Sequence, residues 1–140
     1  MKIVGVILIA LAIVIAVVPQ FLDCQSQGRA ITLADGRLIP MKCHWTAVAE
    51  IALGVPLVGL GALLALSKRR ETRRALGVVG AMLGAFAILL PAALIGVCAM
   101  NEMLCNSVMQ PTLILAGALV MVISLGAFGF SFGGKEVEPA

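Results

Sequence analysis

The sequence has few charged residues and few aromatic ones. Of its 140 residues, 12% are Asp, Glu, Lys or Arg and 4% are aromatic, with no tyrosine. Soluble domains carry about a quarter charged residues, so a soluble enzyme and a disordered chain are both excluded. Without aromatic rings to stack on bases, the net charge of +3 does not indicate a nucleic-acid partner.

Motifs for catalysis are also missing. The four cysteines include no Cys-x-x-Cys pair, which is the usual reactive motif of thiol–disulfide oxidoreductases. The single histidine, His44, is more typical of a hydrogen-bonded interfacial residue than of a haem ligand. A non-enzymatic protein without a cofactor is therefore expected.

What the sequence does contain is apolar residues, at 61%. They form four runs, each long enough to cross about 30 Å of hydrocarbon. The predicted helices cover about residues 3–22, 45–66, 75–98 and 111–132. Backbone polar groups must be paired in lipid, so these runs are helices. The sequence predicts an all-α membrane protein, in which residues 1–140 form a single four-transmembrane-helix bundle.

The basic residues predict the orientation of the bundle. Five of them lie between the second and third runs, in residues 67–74: Lys68, Arg69, Arg70, Arg73 and Arg74. The positive-inside rule makes this loop cytoplasmic, together with both termini. The expected location is the inner cell membrane, and anionic lipid headgroups are natural partners of the basic loop. Loops 23–44 and 99–110 are then extracytoplasmic.

All four cysteines fall in or beside these outer loops, where the oxidising compartment favours disulfides. Pairing Cys24 with Cys43 and Cys98 with Cys105 is favoured, and pairs between the two loops are the alternative. An Asp35-Gly36 turn between β-prone runs predicts a short hairpin. The expected result is a small disulfide-stapled cap.

A soft-metal site is the competing interpretation of the same loops. Thioether and thiolate sulfurs suit Cu(I), whereas oxidised cysteines would not bind a metal. Besides the cysteines, the candidate ligands are Met41, His44, Met100, Met103 and Met109. Metal binding or thiol–disulfide redox handling by this cluster is the second functional hypothesis.

Two residues near the start of the second helix are candidates for contact with a ligand or partner, as is His44 beside them. Trp45 is typical of the aromatic belt at a membrane interface. Glu50 is the only acid within any span, where an unpaired carboxylate is costly. It either lies near the headgroups, or pairs with a neighbour, or contacts a ligand or partner. The neighbours considered for pairing are Arg29, Arg37, Lys42 and His44.

Small residues recur in the spans, as in Gly80-x-x-x-Gly84. Such residues let helices approach closely, either within one bundle or against a partner. Pro56 and Pro91 are expected to kink or loosen the second and third helices.

The block from Met41 to Thr46, Met-Lys-Cys-His-Trp-Thr, and the segments ending at Cys98 and starting at Cys105 carry a resemblance. Together they resemble a prokaryotic family of four-span membrane proteins of unknown function, family four-four-one-eight. The resemblance implies a role beside ABC transporters with an FtsX-like or MacB-like permease. The first functional hypothesis is therefore a non-enzymatic accessory or structural subunit, whose partner is such a permease or another copy of the chain.

Overall fold

The computed structural model describes residues 2–132. Over that range the chain folds into four long helices and one two-stranded hairpin. The helices are α1 (Lys2–Leu22), α2 (Lys42–Leu66), α3 (Arg70–Leu89) and α4 (Gln110–Phe130), and the strands are β1 (Ile31–Thr32) and β2 (Leu38–Ile39). The sequence also predicts a cytoplasmic C-terminus, but residues 133–140 lie outside the described residues.

The helices are long and apolar enough to cross a membrane. Counting the π-helical turns Leu90–Leu94 and Cys105–Met109 that extend α3 and α4, the four spans between residues 2 and 130 contain 21 to 26 residues each. At 1.5 Å per residue, each reaches roughly 30 to 40 Å, the thickness of a hydrocarbon core or more. The four long apolar helices predicted from the sequence are confirmed, and they are compatible with a multi-pass membrane protein.

The third helix ends earlier than residue 98, where the sequence placed its end. Pro91 has no N–H to donate, and the helix widens there into the π-helical turn Leu90–Leu94. Gly96 then adopts a left-handed conformation, φ +78°, while its N–H donates to the carbonyl of Leu90 at 3.1 Å. Glycine accepts this conformation without a Cβ clash, so the chain leaves the helix and approaches Cys98 as an irregular segment.

Small residues bring the helices together in pairs. In one pair, α1 packs against α2 along most of its length, and in the other α3 packs against α4. A Cβ atom added to Gly84 would lie 2.8 Å from the carbonyl oxygen of Gly117, and one added to Gly5 would lie 2.6 Å from that of Gly61. The Gly80-x-x-x-Gly84 pattern therefore faces a helix of the same chain.

Large aliphatic side chains fill the space among the helices. Those that are fully buried include Leu8, Ile15, Leu57, Leu64, Leu113 and Val120. The many exposed aliphatic side chains on the outer helix surfaces are suited to contact with lipid tails. The core therefore runs along the centre of the bundle.

The predicted hairpin is present but is built differently from the sequence expectation. Ile31 pairs with Ile39 and Thr32 with Leu38 in antiparallel register. The N–H of Leu33 donates to the carbonyl of Arg37 at 2.9 Å, which leaves a three-residue loop. A two-residue Asp-Gly turn needs positive φ at both residues, but of Asp35 and Gly36 only Gly36 has it, at +77°. This is the pattern of a three-residue loop with a glycine bulge.

At the end of the bundle opposite the hairpin, which we call the arginine end, the basic segment caps the helices. Arg73 donates to the carbonyl oxygen of Ser67 from Nε and Nη2, at 3.1 and 2.9 Å. Arg74 donates to the carbonyl oxygen of Ser131 at 3.0 Å and lies over the ring of Phe132, 4.2 Å from its centroid. Lys68 is exposed to solvent. The segment therefore combines arginines that bond to the helix ends with an exposed lysine.

Candidate functional site

The four cysteines meet at the opposite end of the bundle, which we call the cysteine end. Cys24 follows the last turn of α1, and Cys43 is the second residue of α2. Cys98 lies on the irregular segment after α3, and Cys105 begins the π-helical turn that leads into α4. One cysteine therefore comes from the end of each helix, and the four Sγ atoms all lie within 4.8 Å of one another.

The sulfur atoms are in close contact. The Sγ atoms of Cys24 and Cys43 are 2.7 Å apart. The Sγ of Cys98 is 3.6 Å from those of Cys24 and Cys43, and the Sγ of Cys105 is 3.5 Å from that of Cys24. Cys24 thus contacts the other three thiols, and we call the group of Cys24, Cys43, Cys98 and Cys105 the thiol centre.

This arrangement does not support the predicted disulfide-stapled cap. Within residues 2–132, Cys24, Cys43, Cys98 and Cys105 are all free thiols. The favoured pairing assigned one staple to each loop, and pairs between the two loops were the alternative. Both loops instead return over the same end of the bundle, so the four sulfurs form a single group rather than two separate pairs.

Methionine sulfurs extend the thiol centre on two sides. The Sδ of Met41 is 3.9 Å from the Sγ of Cys98, and the Sδ of Met103 is 3.9 Å from the Sγ of Cys24. Met109 is buried in the apolar core, and Met100 is 65% exposed. Of the methionines proposed from the sequence, the structure therefore brings two to the centre.

The thiol centre is largely shielded from water. Cys24, Cys43 and Cys105 are buried, whereas Cys98 is partly accessible. Burial raises the pKa of the Cys24 thiol well above its usual value, and the neighbouring thiols of Cys43, Cys105 and Cys98 raise it further. Without a cation, Cys24 therefore keeps its proton at neutral pH.

An Asp–His pair lies beside the thiol centre. Nδ1 of His44 is 2.9 Å from Oδ2 of Asp23, and the N–H of Ser26 donates to Oδ1 of Asp23 at 2.8 Å. Burial acts to raise the pKa of Asp23, but the hydrogen bonds from His44 and Ser26 outweigh it, so the pKa lies below its usual value. The sequence analysis missed Asp23, although Asp23 and His44 each adjoin a cysteine in the chain.

A second hydrogen bond fixes the segment that carries Cys98. The hydroxyl of Thr46 donates to the carbonyl oxygen of Gly96 at 2.8 Å. Thr46 lies one turn below Cys43 on α2, and the bond therefore sets the height of Cys98 relative to Cys43. Next to it, Nε2 of Gln20 donates to the carbonyl oxygen of Ala47 at 2.8 Å, which joins α1 to α2.

Glu50 lies deeper, on the buried face of α2. It is seven residues from Cys43, or about 10 Å along the helix on the same face. Its side chain is fully buried, and neither carboxyl oxygen has a hydrogen-bond partner among the described residues. No hydrogen bond or ion pair to Glu50 is therefore seen among the described residues, and His44, one of the neighbours considered, bonds to Asp23 instead.

Trp45 lies on the outer surface of α2, at the level of the thiol centre. It is 55% exposed, and its ring meets that of His44 edge to face, with centroids 5.9 Å apart. An exposed indole at the first turn of a spanning helix is suited to the membrane interface. Three successive residues therefore lie in different environments: Cys43 in the thiol centre, His44 beside Asp23, and Trp45 on the outer surface.

Comparison with known proteins identifies the family. The model of a family described as Domain of unknown function (DUF4418) matches residues 3–130. No curated protein and no solved structure shows a significant match. The matched range includes all four cysteines and nearly the whole of every helix. The chain therefore belongs to the DUF4418 family, whose function is unknown.

Proposed function

We propose that this protein binds one soft metal cation through the thiol centre at the cysteine end of its helix bundle. The observation that carries the proposal is the convergence of four Sγ atoms within 4.8 Å of one another, one from the end of each helix. Four thiolates around a single cation form a closed site of the kind that structural zinc occupies.

The sulfur positions come close to those of a tetrahedral site. A Zn–S bond of about 2.3 Å places tetrahedral sulfurs about 3.8 Å apart. Three of the contacts, which join Cys98 to Cys24 and to Cys43 and Cys105 to Cys24, measure 3.5 to 3.6 Å. The contact between Cys24 and Cys43, at 2.7 Å, has to widen by about 1 Å to meet the same geometry.

The donor set favours a soft cation. Sulfur ligands select Zn(II) or Cu(I) over the hard cations that prefer oxygen. Met41 and Met103 supply thioether sulfurs next to the thiolates, and burial of three of the four cysteines excludes competing water. Binding would displace the thiol protons and join the α1–α2 pair to the α3–α4 pair.

The test is metal analysis of the full chain, purified anaerobically in detergent with a reductant. We expect about one equivalent of Zn(II) or Cu(I) per chain, and Co(II) should give thiolate charge-transfer absorption. Cys24→Ser and Cys105→Ser should each lower the retained metal. Met82→Leu removes an exposed sulfur from the outer surface of α3 and should leave the metal content unchanged.

A folded, fully reduced protein that retains no metal and takes up neither Co(II) nor Cu(I) would contradict the proposal. Folding is checked by a monodisperse elution profile and by helical circular dichroism. Because the cysteine variants are compared with the Met82 variant in the same detergent, loss of metal through general unfolding is detected separately.

We place the thiol centre on the extracytoplasmic side of the membrane, with the N- and C-termini in the cytoplasm. The argument is the excess of Lys and Arg between residues 67 and 74 at the arginine end. Lys42 and Lys68 are both exposed, at opposite ends of α2 and its following link. An amine reagent that does not cross membranes should label Lys42, and not Lys68, in intact cells. The reverse pattern would overturn the assignment.

An accessory role beside another membrane protein is a second candidate function, and the exposed apolar hairpin favours it. Ile31 is 52% exposed and Leu38 is 70% exposed, outside the spanning helices, where water would otherwise cover them. The partner implied by the family resemblance is an ABC transporter permease, and the alternative is a second copy of the chain.

This role is tested with a photocrosslinking residue at Leu38 and a control at Phe130, at the far end of α4. We expect a crosslink from position 38 to a co-expressed MacB-like permease, or to a second copy of the chain, and none from position 130. Absence of any protein adduct at position 38 in native membranes would count against the role.

A further inference from the structure

Accessibility separates the four thiols. Cys43 is fully buried, Cys105 and Cys24 are 1% and 3% exposed, and Cys98 is the partly accessible member of the thiol centre. Reactivity of a cysteine requires both access and thiolate formation. A reagent that approaches from the aqueous end of the bundle therefore meets Cys98 first.

Cys98 also lies outside the regular helices. It lies between the π-helical turn Leu90–Leu94 and the one that begins at Cys105, on a segment that the structure leaves without regular secondary structure. By contrast, Cys43 is held within the first turn of α2. Exchange of a disulfide needs the attacking sulfur to line up with the bond that breaks, and an irregular segment allows that adjustment.

Behind Cys98, two thiols lie within reach for a second step. Its Sγ is 3.6 Å from those of Cys24 and Cys43. These two sulfurs also contact each other, at 2.7 Å. Once Cys98 has formed a disulfide with a substrate, a neighbouring thiol therefore lies close enough to attack that disulfide without movement of a helix.

We propose that the metal-free thiol centre is a thiol–disulfide relay that exchanges with an external disulfide substrate, with Cys98 as the attacking residue and Cys43 or Cys24 as the resolving residue. This activity goes beyond the proposed metal binding and does not depend on it. The chemical class of the substrate is a disulfide that reaches the cysteine end from the aqueous side.

The chemistry balances as two exchange steps. The Cys98 thiolate attacks one sulfur of the substrate disulfide, the substrate S–S bond breaks, and the other substrate sulfur leaves as a thiolate that takes a proton. The resolving thiolate then attacks Sγ of Cys98 in the mixed disulfide and releases the second substrate sulfur. In sum, the substrate disulfide gains two electrons and two protons and becomes two thiols, and two cysteines of the centre become a disulfide.

Cys24 and Cys43 are the two candidate resolving residues, since the Sγ atom of each is 3.6 Å from that of Cys98. Both thiols lie at the same distance from Cys98, so loss of either one leaves a resolving residue in place. Loss of both still leaves Cys105 within 4.8 Å of Cys98. When Cys105 is removed as well, Cys98 has no resolving thiol in the centre, and the mixed disulfide should then accumulate.

The experiment uses the full chain in detergent, reduced and stripped of metal with a chelator. The probe is a membrane-impermeant aromatic disulfide whose released thiolate absorbs visible light. We expect the native chain to release about two equivalents of aromatic thiolate in its first phase and to retain no adduct by mass. Cys98→Ser should slow this phase about tenfold or more, because the remaining thiols are buried.

The triple variant Cys24→Ser/Cys43→Ser/Cys105→Ser should react once and retain one aromatic adduct, which peptide mapping places on Cys98. Ser107→Ala, a change at an exposed hydroxyl near the centre, is the matched control and should react like the native chain. Rapid isotope-coded alkylation of the native chain provides a test that needs no variant, and Cys98 should be labelled first.

The relay is overturned if Cys98→Ser reacts as fast as the native chain, if alkylation reaches Cys105 or Cys24 before Cys98, or if the native chain keeps the aromatic adduct. The metal result is independent of these outcomes. A protein that exchanges disulfides but never binds a cation refutes the metal site alone. A protein that binds a cation but fails to exchange when stripped refutes the relay alone.

Discussion

The hydroxyl of Thr46 and the carbonyl oxygen of Gly96 are 2.8 Å apart, and this one hydrogen bond joins the helix that carries Cys43 to the segment that carries Cys98. Gly96 has a left-handed backbone, φ +78°, that most other residues would strain to adopt. The position of the accessible thiol therefore depends on a threonine and a glycine rather than on the length of α3.

Replacing Thr46 by valine tests this link. The isosteric change keeps the volume but leaves the Gly96 carbonyl without its side-chain donor, and we expect a loss of about 1–2 kcal/mol in the free energy of unfolding. Alkylation of Cys98 should become faster. Thr112→Val is the control, because that hydroxyl bonds to the carbonyl of Val108 within its own helix. Equal effects of the two changes would contradict the link.

Replacing Glu50 by leucine should stabilise the bundle. The carboxyl group is fully buried and has no partner among the described residues, so removing it relieves a desolvation cost of about 1–3 kcal/mol. The measurement is unfolding in detergent, and Glu50→Gln should have a smaller effect. Gln20→Leu should instead destabilise the bundle, because it removes the hydrogen bond to the carbonyl oxygen of Ala47. Destabilisation by both leucine variants would show that Glu50 has a stabilising contact.

Replacing Asp23 by asparagine should destabilise the metal-free protein at neutral pH. The folded state lowers the pKa of Asp23, so its stabilising effect is present above the unfolded pKa of about 3.9 and disappears as the pH falls through the folded value. The native chain and the variant should therefore converge in stability in acid. Asp35→Asn, in the exposed hairpin loop, is the control, and a difference between native and variant that stayed constant down to acid pH would refute the role.

Replacing Gly84 by alanine should destabilise the contact between α3 and α4. The new Cβ atom would lie 2.8 Å from the carbonyl oxygen of Gly117 and from the amide nitrogen of Met121, and backbone atoms do not move aside easily. We expect a cost of about 1–3 kcal/mol. Gly126→Ala meets open space and should be neutral or slightly stabilising, because alanine favours the helix. The two variants are compared by thermal unfolding in one detergent.

The helices could be predicted from the sequence because length and hydropathy alone determine whether a segment spans a bilayer. The end of α3 could not, because the π-helical turn at Pro91 and the conformation of Gly96 depend on packing at the cysteine end. The hairpin was predicted from its Asp-Gly pair. The type of turn was not, because the same two residues fit a two-residue turn and a three-residue loop, and in the structure only Gly36 of the pair has positive φ.

The thiol centre could be predicted only in part from the sequence. The sequence placed every cysteine at the same end of the bundle, but spacing along the chain does not report how closely four helix ends converge. The position of Glu50 had a usable signal, since a seven-residue separation places it on the same helix face as Cys43. That signal predicts burial toward the centre of the bundle, which is what the structure shows for Glu50.

The division of the cysteines between the two helix pairs has a mechanical consequence. Each pair supplies two sulfurs, and all four fit within 4.8 Å, whereas sliding one helix past another by a full turn displaces it by about 5.4 Å. A cation or a cross-linked sulfur pair that joins both sides would therefore forbid such a step at this end. Occupancy of the centre would therefore limit how far the two helix pairs can slide against each other along the bundle axis.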